Sequence, residues 1–199
     1  MAQATCQRSA YQAGRRYTRA HMPQLIVTAV GRDRPGLVAD LSRHVHDVGA
    51  NLTDSRMVNL GGHFALLARV EGAAEAIRRL RSTLAESASS LGLRIELLDI
   101  DALSAPRGGI PYRLKTYSFD QPGIVAAVTE VLRSHHANVE ELETRVAGAA
   151  FEGTPIFTME AVIVLPKGSN VRALRSDLGA LGERISCDVD LEPLSAQRP

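Results

Sequence analysis

The segment GRDRPGLVADL at residues 31–41 returns, little changed, as SFDQPGIVAAV at residues 118–128. Both copies contain the motif Asp-x-Pro-Gly, followed by an aliphatic residue and valine. The six motif residues are Asp33, Pro35, Gly36, Asp120, Pro122 and Gly123. The copies stand a constant 87 residues apart, counted from Asp33 to Asp120. A period of this length is a whole small domain rather than one unit of a solenoid, so the sequence predicts a duplicated domain.

The residues around each motif predict the same six elements. In the first copy, a β-branched apolar run at 24–31 predicts a strand. An apolar stripe from Leu37 to Val48 then predicts a helix that ends at Gly49. Two strands joined by a turn at Gly61 and Gly62, a second helix and a last strand complete the copy. This order is that of the ferredoxin-like fold, in which two helices cover one face of a four-stranded antiparallel sheet.

We therefore expect an α+β protein with two ferredoxin-like βαββαβ domains. The Pro and Gly content of DALSAPRGGIP marks a linker between them. The predicted segments are a disordered basic tail at 1–22, a first domain at 23–101, a linker at 102–111 and a second domain at 112–194.

The second copy departs from the first in two places. His136 stands where Gly49 stands, so we expect it to close its helix in a left-handed conformation. Phe64 corresponds to Phe157 at a spacing of 93 residues, so the second hairpin carries six extra residues. This Gly- and Ala-rich extension is either a contact loop or merely a mobile one, and the sequence leaves both readings open.

Charge and composition limit the classes of partner. The net charge is +1, and residues 1–21 hold four arginines and no acid, so the remainder is slightly acidic. Such a body lacks the clustered basic surface of a protein that binds DNA directly. No segment reaches the apolar length needed to cross a membrane. The two cysteines, Cys6 and Cys187, have neither disulfide nor metal spacing, and we expect a cytoplasmic protein.

The Asp-x-Pro-Gly turn predicts an anion site. Aspartate is a good N-cap and proline suits the first position of a helix. The glycine beside them leaves the first-turn N–H groups uncovered, which suits a small carboxylate. Asn51 and Asn138 open the strands after the two helices, and their amides could reach the same ligand. The alternative is that the motif simply starts a helix well.

Catalytic and metal sites find no support in the sequence. No nucleophile, phosphate-binding or dinucleotide-binding motif is present. His44 and His46 point to different sides of their helix, and no Cys or carboxylate joins them at ligand spacing. We expect no catalytic residue, no metal and no cofactor.

The chain resembles the ACT domain, a regulatory module that binds amino acids. The resemblance rests on D-x-P-G-[LI]-V after a strand and A-N-[LV] before the next, and it covers residues 24–100 and 112–192. In that family, effectors bind at the interface of paired domains, against the loop between the first strand and helix. The ligand-binding residues that it implies are Asp33, Arg34, Pro35, Gly36, Leu37, Asn51, Asp120, Gln121, Pro122, Gly123, Ile124 and Asn138.

A free-standing pair of such domains, with a longer second hairpin, is similar to the glycine cleavage system transcriptional repressor family. The resemblance implies an amino-acid-responsive co-repressor with glycine or a similar amino acid as effector. It also implies a protein partner, such as a DNA-binding activator, in place of direct contact with nucleic acid, and it leaves a homodimer open. The alternatives are a ligand-independent interaction module, an in-trans regulator of a metabolic enzyme, and a DNA-binding role for the basic tail.

Overall fold

The computed structural model describes residues 22–100, 108–149 and 153–194. The chain divides into two compact units, with the boundary between Leu103 and Ser104. The predicted tail, apart from Met22, lies outside the described residues, and so do residues 101–107 next to and within the predicted linker.

Unit 1 is a four-stranded antiparallel sheet with two helices. Its elements are β1 (Gln24–Arg32), α1 (Leu37–Asp47), β2 (Ala50–Leu60), β3 (His63–Gly72), α2 (Ala74–Leu91) and β4 (Leu93–Asp99). The strand order in the sheet is β2-β3-β1-β4. The predicted ferredoxin-like order of elements is confirmed.

Unit 2 repeats this arrangement. Its elements are β5 (Gly109–Phe119), α3 (Ile124–Ser134), β6 (Asn138–Ala149), β7 (Gly153–Pro166), α4 (Val171–Ile185) and β8 (Cys187–Pro193). The strand order is β6-β7-β5-β8, so each strand occupies the place of its counterpart in unit 1. The duplication predicted from the motif is therefore a duplication of the whole fold.

The core of each unit lies between the sheet and its helices. Alternate residues of β1, including Leu25 and Val27, are buried against α1, which contributes Leu37 and Leu41. Since side chains alternate across a strand, the intervening residues point to the other face of the sheet, which we call the open face. Burying each aliphatic side chain contributes about 1.5–3 kcal/mol. Val38 is the exception in the predicted stripe, because it lies half exposed at the start of α1.

The first strand of unit 2 begins earlier than predicted. β5 starts at Gly109, inside the predicted linker at 102–111. Pro111 lies in β5 because the pairing with β8 ends at the next residue, Tyr112, so the missing N–H of proline costs no bond to that strand. Gly109 is required by close approach, since a Cβ there would meet the Leu165 carbonyl oxygen.

Both local departures of the second copy are visible. His136 has φ 54°, which confirms the left-handed conformation that Gly49 adopts in unit 1 with φ 81°. The extended hairpin prolongs the ladder between β6 and β7, where pairing continues to Ala149 and Gly153 after a register shift. The tip at 150–152 lies outside the described residues.

Candidate functional site

The two Asp-x-Pro-Gly turns share one backbone geometry. Gly36 precedes α1 with φ 91°, and Gly123 precedes α3 with φ 95°. Side chains rarely tolerate this left-handed region, so glycine is required at both positions. Each glycine carbonyl accepts the first helical hydrogen bond, from the Asp40 N–H at 2.8 Å and from the Ala127 N–H at 2.9 Å. The glycine is therefore the N-cap residue of each helix.

This geometry corrects the predicted roles of the aspartates and prolines. Asp33 and Asp120 were predicted to cap the helices, and Pro35 and Pro122 to begin them. The aspartates instead lie three residues before the N-cap, and the prolines lie one residue before it. A side chain caps a helix from the N-cap position itself. In both units the left-handed glycine occupies that position, so neither the aspartate nor the proline does.

The first N–H groups of α1 and α3 are uncovered, as predicted, but the cause differs from the one expected. Neither α1 nor α3 has a side chain that accepts a hydrogen bond at its N-terminus. α4 shows the contrast within the same chain, because Asn170 Oδ1 accepts from the Ala173 N–H at 3.1 Å. The first N–H groups of an α-helix have no intrahelical partner, so those of α1 and α3 are available to an anion.

The hairpin of unit 1 holds the first turn in place. The Asp33 N–H donates to the Gly62 carbonyl oxygen at 3.0 Å. The Asp33 carboxylate accepts a hydrogen bond from the Asn59 side-chain amide. Asn59 lies near the end of β2, and its hairpin partner β3 runs beside β1, so the register brings Asn59 to the turn. The aspartate is thus tied to the sheet rather than to the helix.

A pocket lies against the first turn. Its volume is about 330 Å³. Its lining residues are Asp33, Arg34, Gly36, Leu37, Val38, Ala39, Met57, Asn59 and Phe64. It therefore collects four of the six residues predicted in unit 1, while Pro35 and Asn51 are not part of its lining. The sequence prediction missed the residues that β2 and β3 contribute, although the Gly61-Gly62 turn was a signal that these strands return to the motif.

Arg34 is the positively charged side chain of this pocket. Its Nη2 donates to Asp40 Oδ2 at 2.9 Å and its Nη1 donates to the Pro35 carbonyl oxygen at 3.3 Å. A Cβ on Gly36 would lie 3.9 Å from Arg34 Nη1, so the guanidinium lies beside the N-cap glycine. With a helix N-terminus at the same place, the wall of the pocket is suited to a carboxylate.

The second turn has different side chains on the same backbone. Gln121 replaces Arg34, and its Nε2 donates to the Ile185 carbonyl oxygen at the end of α4, at 2.6 Å. Val146 takes the place of Asn59, because it pairs across the strand with Phe157 as Asn59 pairs with Phe64. The second turn therefore has neither the guanidinium nor the amide that shape the first.

The structure separates both predicted asparagines from the turns of their own units. Asn51 pairs with Glu71, whereas the residue before the first turn, Arg32, pairs with His63 at the opposite end of the sheet. α1 runs back along the sheet between them, and its 11 residues span about 16 Å. Asn138 is placed in the same way, and its amide donates to Glu140 Oε1 at 3.0 Å. The expectation that turn and asparagine act together within one domain is wrong.

A larger depression, of about 530 Å³, lies on the open face of the unit 2 sheet. None of the predicted site residues lines it. Its wall mixes carboxylates such as Asp188 and Asp190 with the cations Lys115 and Arg145. We interpret it as a charged sheet surface, since it is not formed around any helix end.

The described residues include neither a metal-binding cluster nor a helix suited to crossing a membrane. Within residues 22–100, 108–149 and 153–194, no cluster of three or more His, Cys, Asp or Glu side chains could hold a metal ion. Of the helices described, none combines the length and the apolar character that crossing a membrane requires.

Comparison with known proteins identifies the relatives of this architecture. A family model of the ACT domain matches residues 23–97. The glycine cleavage system transcriptional repressor of Escherichia coli K12 is 33% identical over 128 residues, which are 64% of this chain and 67% of the repressor. This chain belongs to the family of that repressor. The matched length exceeds one domain, so the kinship extends over parts of both ACT domains.

Two solved structures are similar in fold to most of this chain. A protein of unknown function from Galdieria sulphuraria superimposes with a TM-score of 0.73 and 30% identity, over 88% of this chain and 100% of that one. A structure assigned to the glycine cleavage system transcriptional repressors gives a TM-score of 0.67 and 22% identity, over 87% and 98% of the two chains. The similarity to the second structure concerns the fold alone. Each of the two alignments includes residues of both ACT domains.

Proposed function

We propose that this ACT-domain protein is an amino-acid-responsive transcriptional co-repressor of the glycine-cleavage type. The kinship to a named repressor supports the regulatory role. The near-neutral charge of the chain favours action through a protein partner, such as a DNA-binding activator, over direct binding to nucleic acid. A co-repressor of this kind would act in the cytoplasm.

The observation that carries the ligand proposal is the pocket at the first turn. Its volume of about 330 Å³ is near the small end of the ~300–1,000 Å³ range of ligand pockets, which suits a small amino acid. The ligand carboxylate would bind the uncovered N–H groups of α1 beside the Arg34 guanidinium. Its ammonium would bind the Asp33 carboxylate, which Asn59 orients. The pocket thus offers opposite charges to the two ends of a zwitterion.

The second turn is the other candidate site. It comprises Asp120, Gln121, Pro122, Gly123 and Ile124, with the same bare helix N-terminus. Because Gln121 is neutral, an acidic or strongly anionic ligand would favour the first turn over this one. Asn51 and Asn138 remain candidates only as ligands supplied from another domain or another copy, since neither reaches the turn of its own unit.

Regulation would follow from differential affinity. A ligand shifts an equilibrium between two arrangements of the domains only as far as it binds one of them more tightly. The partner protein would then recognise the favoured arrangement. The rival functions are a ligand-independent interaction module and an in-trans regulator of an enzyme, and the first of these needs no ligand at either turn.

Thermal unfolding of the full chain in the presence of each of the twenty amino acids tests the proposal. A ligand at about 100 times its Kd adds about 2.7 kcal/mol of stability, which raises the unfolding midpoint by several degrees. We expect glycine or another small amino acid to do so, and Arg34→Gln to reduce the effect. The matched control is Arg79→Gln, the same change at an exposed position of α2 that belongs to neither turn. If no amino acid shifts the midpoint, the chain is an interaction module rather than a sensor.

A further inference from the structure

The Arg34 guanidinium, at the wall of the first-turn pocket, forms an ion pair with a carboxylate outside that wall. Its Nη2 donates to Asp40 Oδ2 at 2.9 Å. Its Nη1 donates to the Pro35 carbonyl oxygen at 3.3 Å and lies beside Gly36, the N-cap of α1. Asp40 belongs to the first helical turn of α1 but is not part of the pocket lining. The two contacts therefore fix the guanidinium next to the uncovered N–H groups of α1.

These contacts leave most of the guanidinium available to a ligand. An arginine side chain has five N–H donors. In its contacts with described residues Arg34 uses two of them, one on each Nη, so three remain. A ligand carboxylate can thus bind the guanidinium while Asp40 stays in place, and the ion pair is compatible with an occupied pocket.

The stability of the fold does not account for this ion pair. The side chains of Arg34 and Asp40 are 45% and 37% exposed, and solvent screens ion pairs at such exposure so that they stabilise a fold little. The ion pair has a larger consequence for binding. A partly exposed arginine without a partner loses rotamer freedom when a ligand fixes it, and that loss weakens binding. Asp40 fixes the Arg34 side chain before any ligand binds.

Unit 2 lacks both members of the pair on the same backbone. At the constant spacing of the two copies, Gln121 corresponds to Arg34 and Ala127 corresponds to Asp40. The Ala127 N–H makes the same first helical hydrogen bond as the Asp40 N–H, to the N-cap glycine of its own helix. The carboxylate is therefore not needed to begin the helix, and it is present in the unit that has the guanidinium.

We propose that Asp40 is a positioning residue for the amino-acid ligand of the first turn. It holds the Arg34 guanidinium beside the N-terminus of α1, where the ligand carboxylate binds both, and it does not itself contact the ligand. This role rests on the proposed function, because it requires an amino acid in the pocket. Without Asp40, only the Pro35 carbonyl oxygen holds the guanidinium, and the side chain gains rotamers that point away from the ligand.

Titration calorimetry of the full chain tests this role, with glycine and with any amino acid that raises the unfolding midpoint as ligands. We expect Asp40→Ala to raise the ligand Kd about fivefold, because the ligand must then order Arg34 by itself. Asp40→Asn keeps an oxygen that accepts from the guanidinium, so its Kd should stay within about twofold of wild type. Alanine and asparagine are both tolerated in a partly exposed helical position, and thermal unfolding without ligand checks that the variants are folded.

A double variant separates positioning from a direct effect of the Asp40 charge on the ligand. Arg34→Met has a side chain of similar length with no N–H to hold, so adding Asp40→Ala to it should leave the Kd unchanged. The matched control is Glu75→Ala, which removes another carboxylate from the first helical turn of a helix, in this case α2, where it pairs with Arg78. That control should also leave the Kd at the wild-type value.

The outcomes distinguish this role from the proposed function. If no amino acid binds the wild-type chain, the proposed function fails and the positioning role fails with it. If an amino acid binds wild type, and Asp40→Ala binds it equally or more tightly, the positioning role is wrong while amino-acid sensing stands. A loss of the same size in the Arg34→Met background also overturns the positioning role, because Asp40 would then act without the guanidinium.

Discussion

The Asn59 side-chain amide donates a hydrogen bond to the Asp33 carboxylate and so joins the end of β2 to the turn before α1. This bond crosses 26 residues of sequence, and it is absent from the second turn, where valine replaces the asparagine. It fixes the carboxylate at one wall of the pocket, while Arg34 lies on the helix side. The lining of the pocket therefore includes a carboxylate from the strand side and a guanidinium from the helix side.

Replacing Asn59 by valine gives the first turn the residue of the second. We expect Asn59→Val to weaken binding of the responding amino acid about tenfold, because the hydrogen bond that orients the Asp33 carboxylate is lost. Titration calorimetry measures the change. The matched control is Val146→Ala at the second turn, which should leave the affinity unchanged. Equal affinities for wild type and Asn59→Val would remove Asp33 from the ligand site.

Replacing either left-handed N-cap glycine by alanine should destabilise the protein. Gly36→Ala and Gly123→Ala should each lower the free energy of unfolding by about 1–2 kcal/mol, because an L side chain is strained at this φ. The opposite result is expected for Gly179→Ala, which lies in α4 with open space around it and should stabilise by about 0.5–1 kcal/mol. Urea unfolding measures all three. Variants of Gly36 that are as stable as wild type would contradict the turn geometry.

The core of unit 2 contains a buried threonine hydroxyl, and its removal should stabilise the fold. Thr116 is 4% exposed, and its Oγ1 has no hydrogen-bond partner among the described residues. Its counterpart in unit 1 is Ala29, which carries no polar atom. Thr116→Val keeps the shape and removes the buried hydroxyl, so we expect a gain of about 1–2 kcal/mol in the free energy of unfolding.

A second threonine provides the control for that substitution. The Thr129 hydroxyl donates to the Val125 carbonyl oxygen at 2.8 Å, so Thr129→Val removes a hydrogen bond that is made. We expect no stabilisation from it. Loss of stability in Thr116→Val would show that its hydroxyl has a partner, such as a buried water, that the described residues do not include.

The fold was predictable because its signals are local and repeated. The motif, the apolar stripes and the turn at Gly61 and Gly62 each depend on neighbouring residues, and the constant spacing of the copies supported every assignment. The start of β5 was missed because proline and glycine usually indicate a linker. Pro111 fits in β5 because the pairing of β5 with β8 reaches only to Tyr112. That tolerance depends on strand register, which the sequence does not show.

The site was predictable in part for the same reason. Four residues close together in sequence line the pocket because one turn contains them: Asp33, Arg34, Gly36 and Leu37. Asn59 was missed because only the β2–β3 register brings it to the turn. Asn51 was expected at the turn on the strength of a motif, but α1 carries it to the far end of the sheet. The cap assignment failed because a left-handed glycine is a backbone property that the letters Asp-x-Pro-Gly do not specify.

Amino-acid binding at the first turn is tested most directly by titrating the ¹⁵N-labelled full chain with glycine, and with any amino acid that raises the unfolding midpoint, while amide chemical shifts are measured. We expect the N–H groups of residues 36–39 to shift most, the Asn59 side-chain amide to shift with them, and Arg34→Gln to reduce the response. No change at residues 36–39, or changes confined to the open face of unit 2, would contradict binding at the first turn.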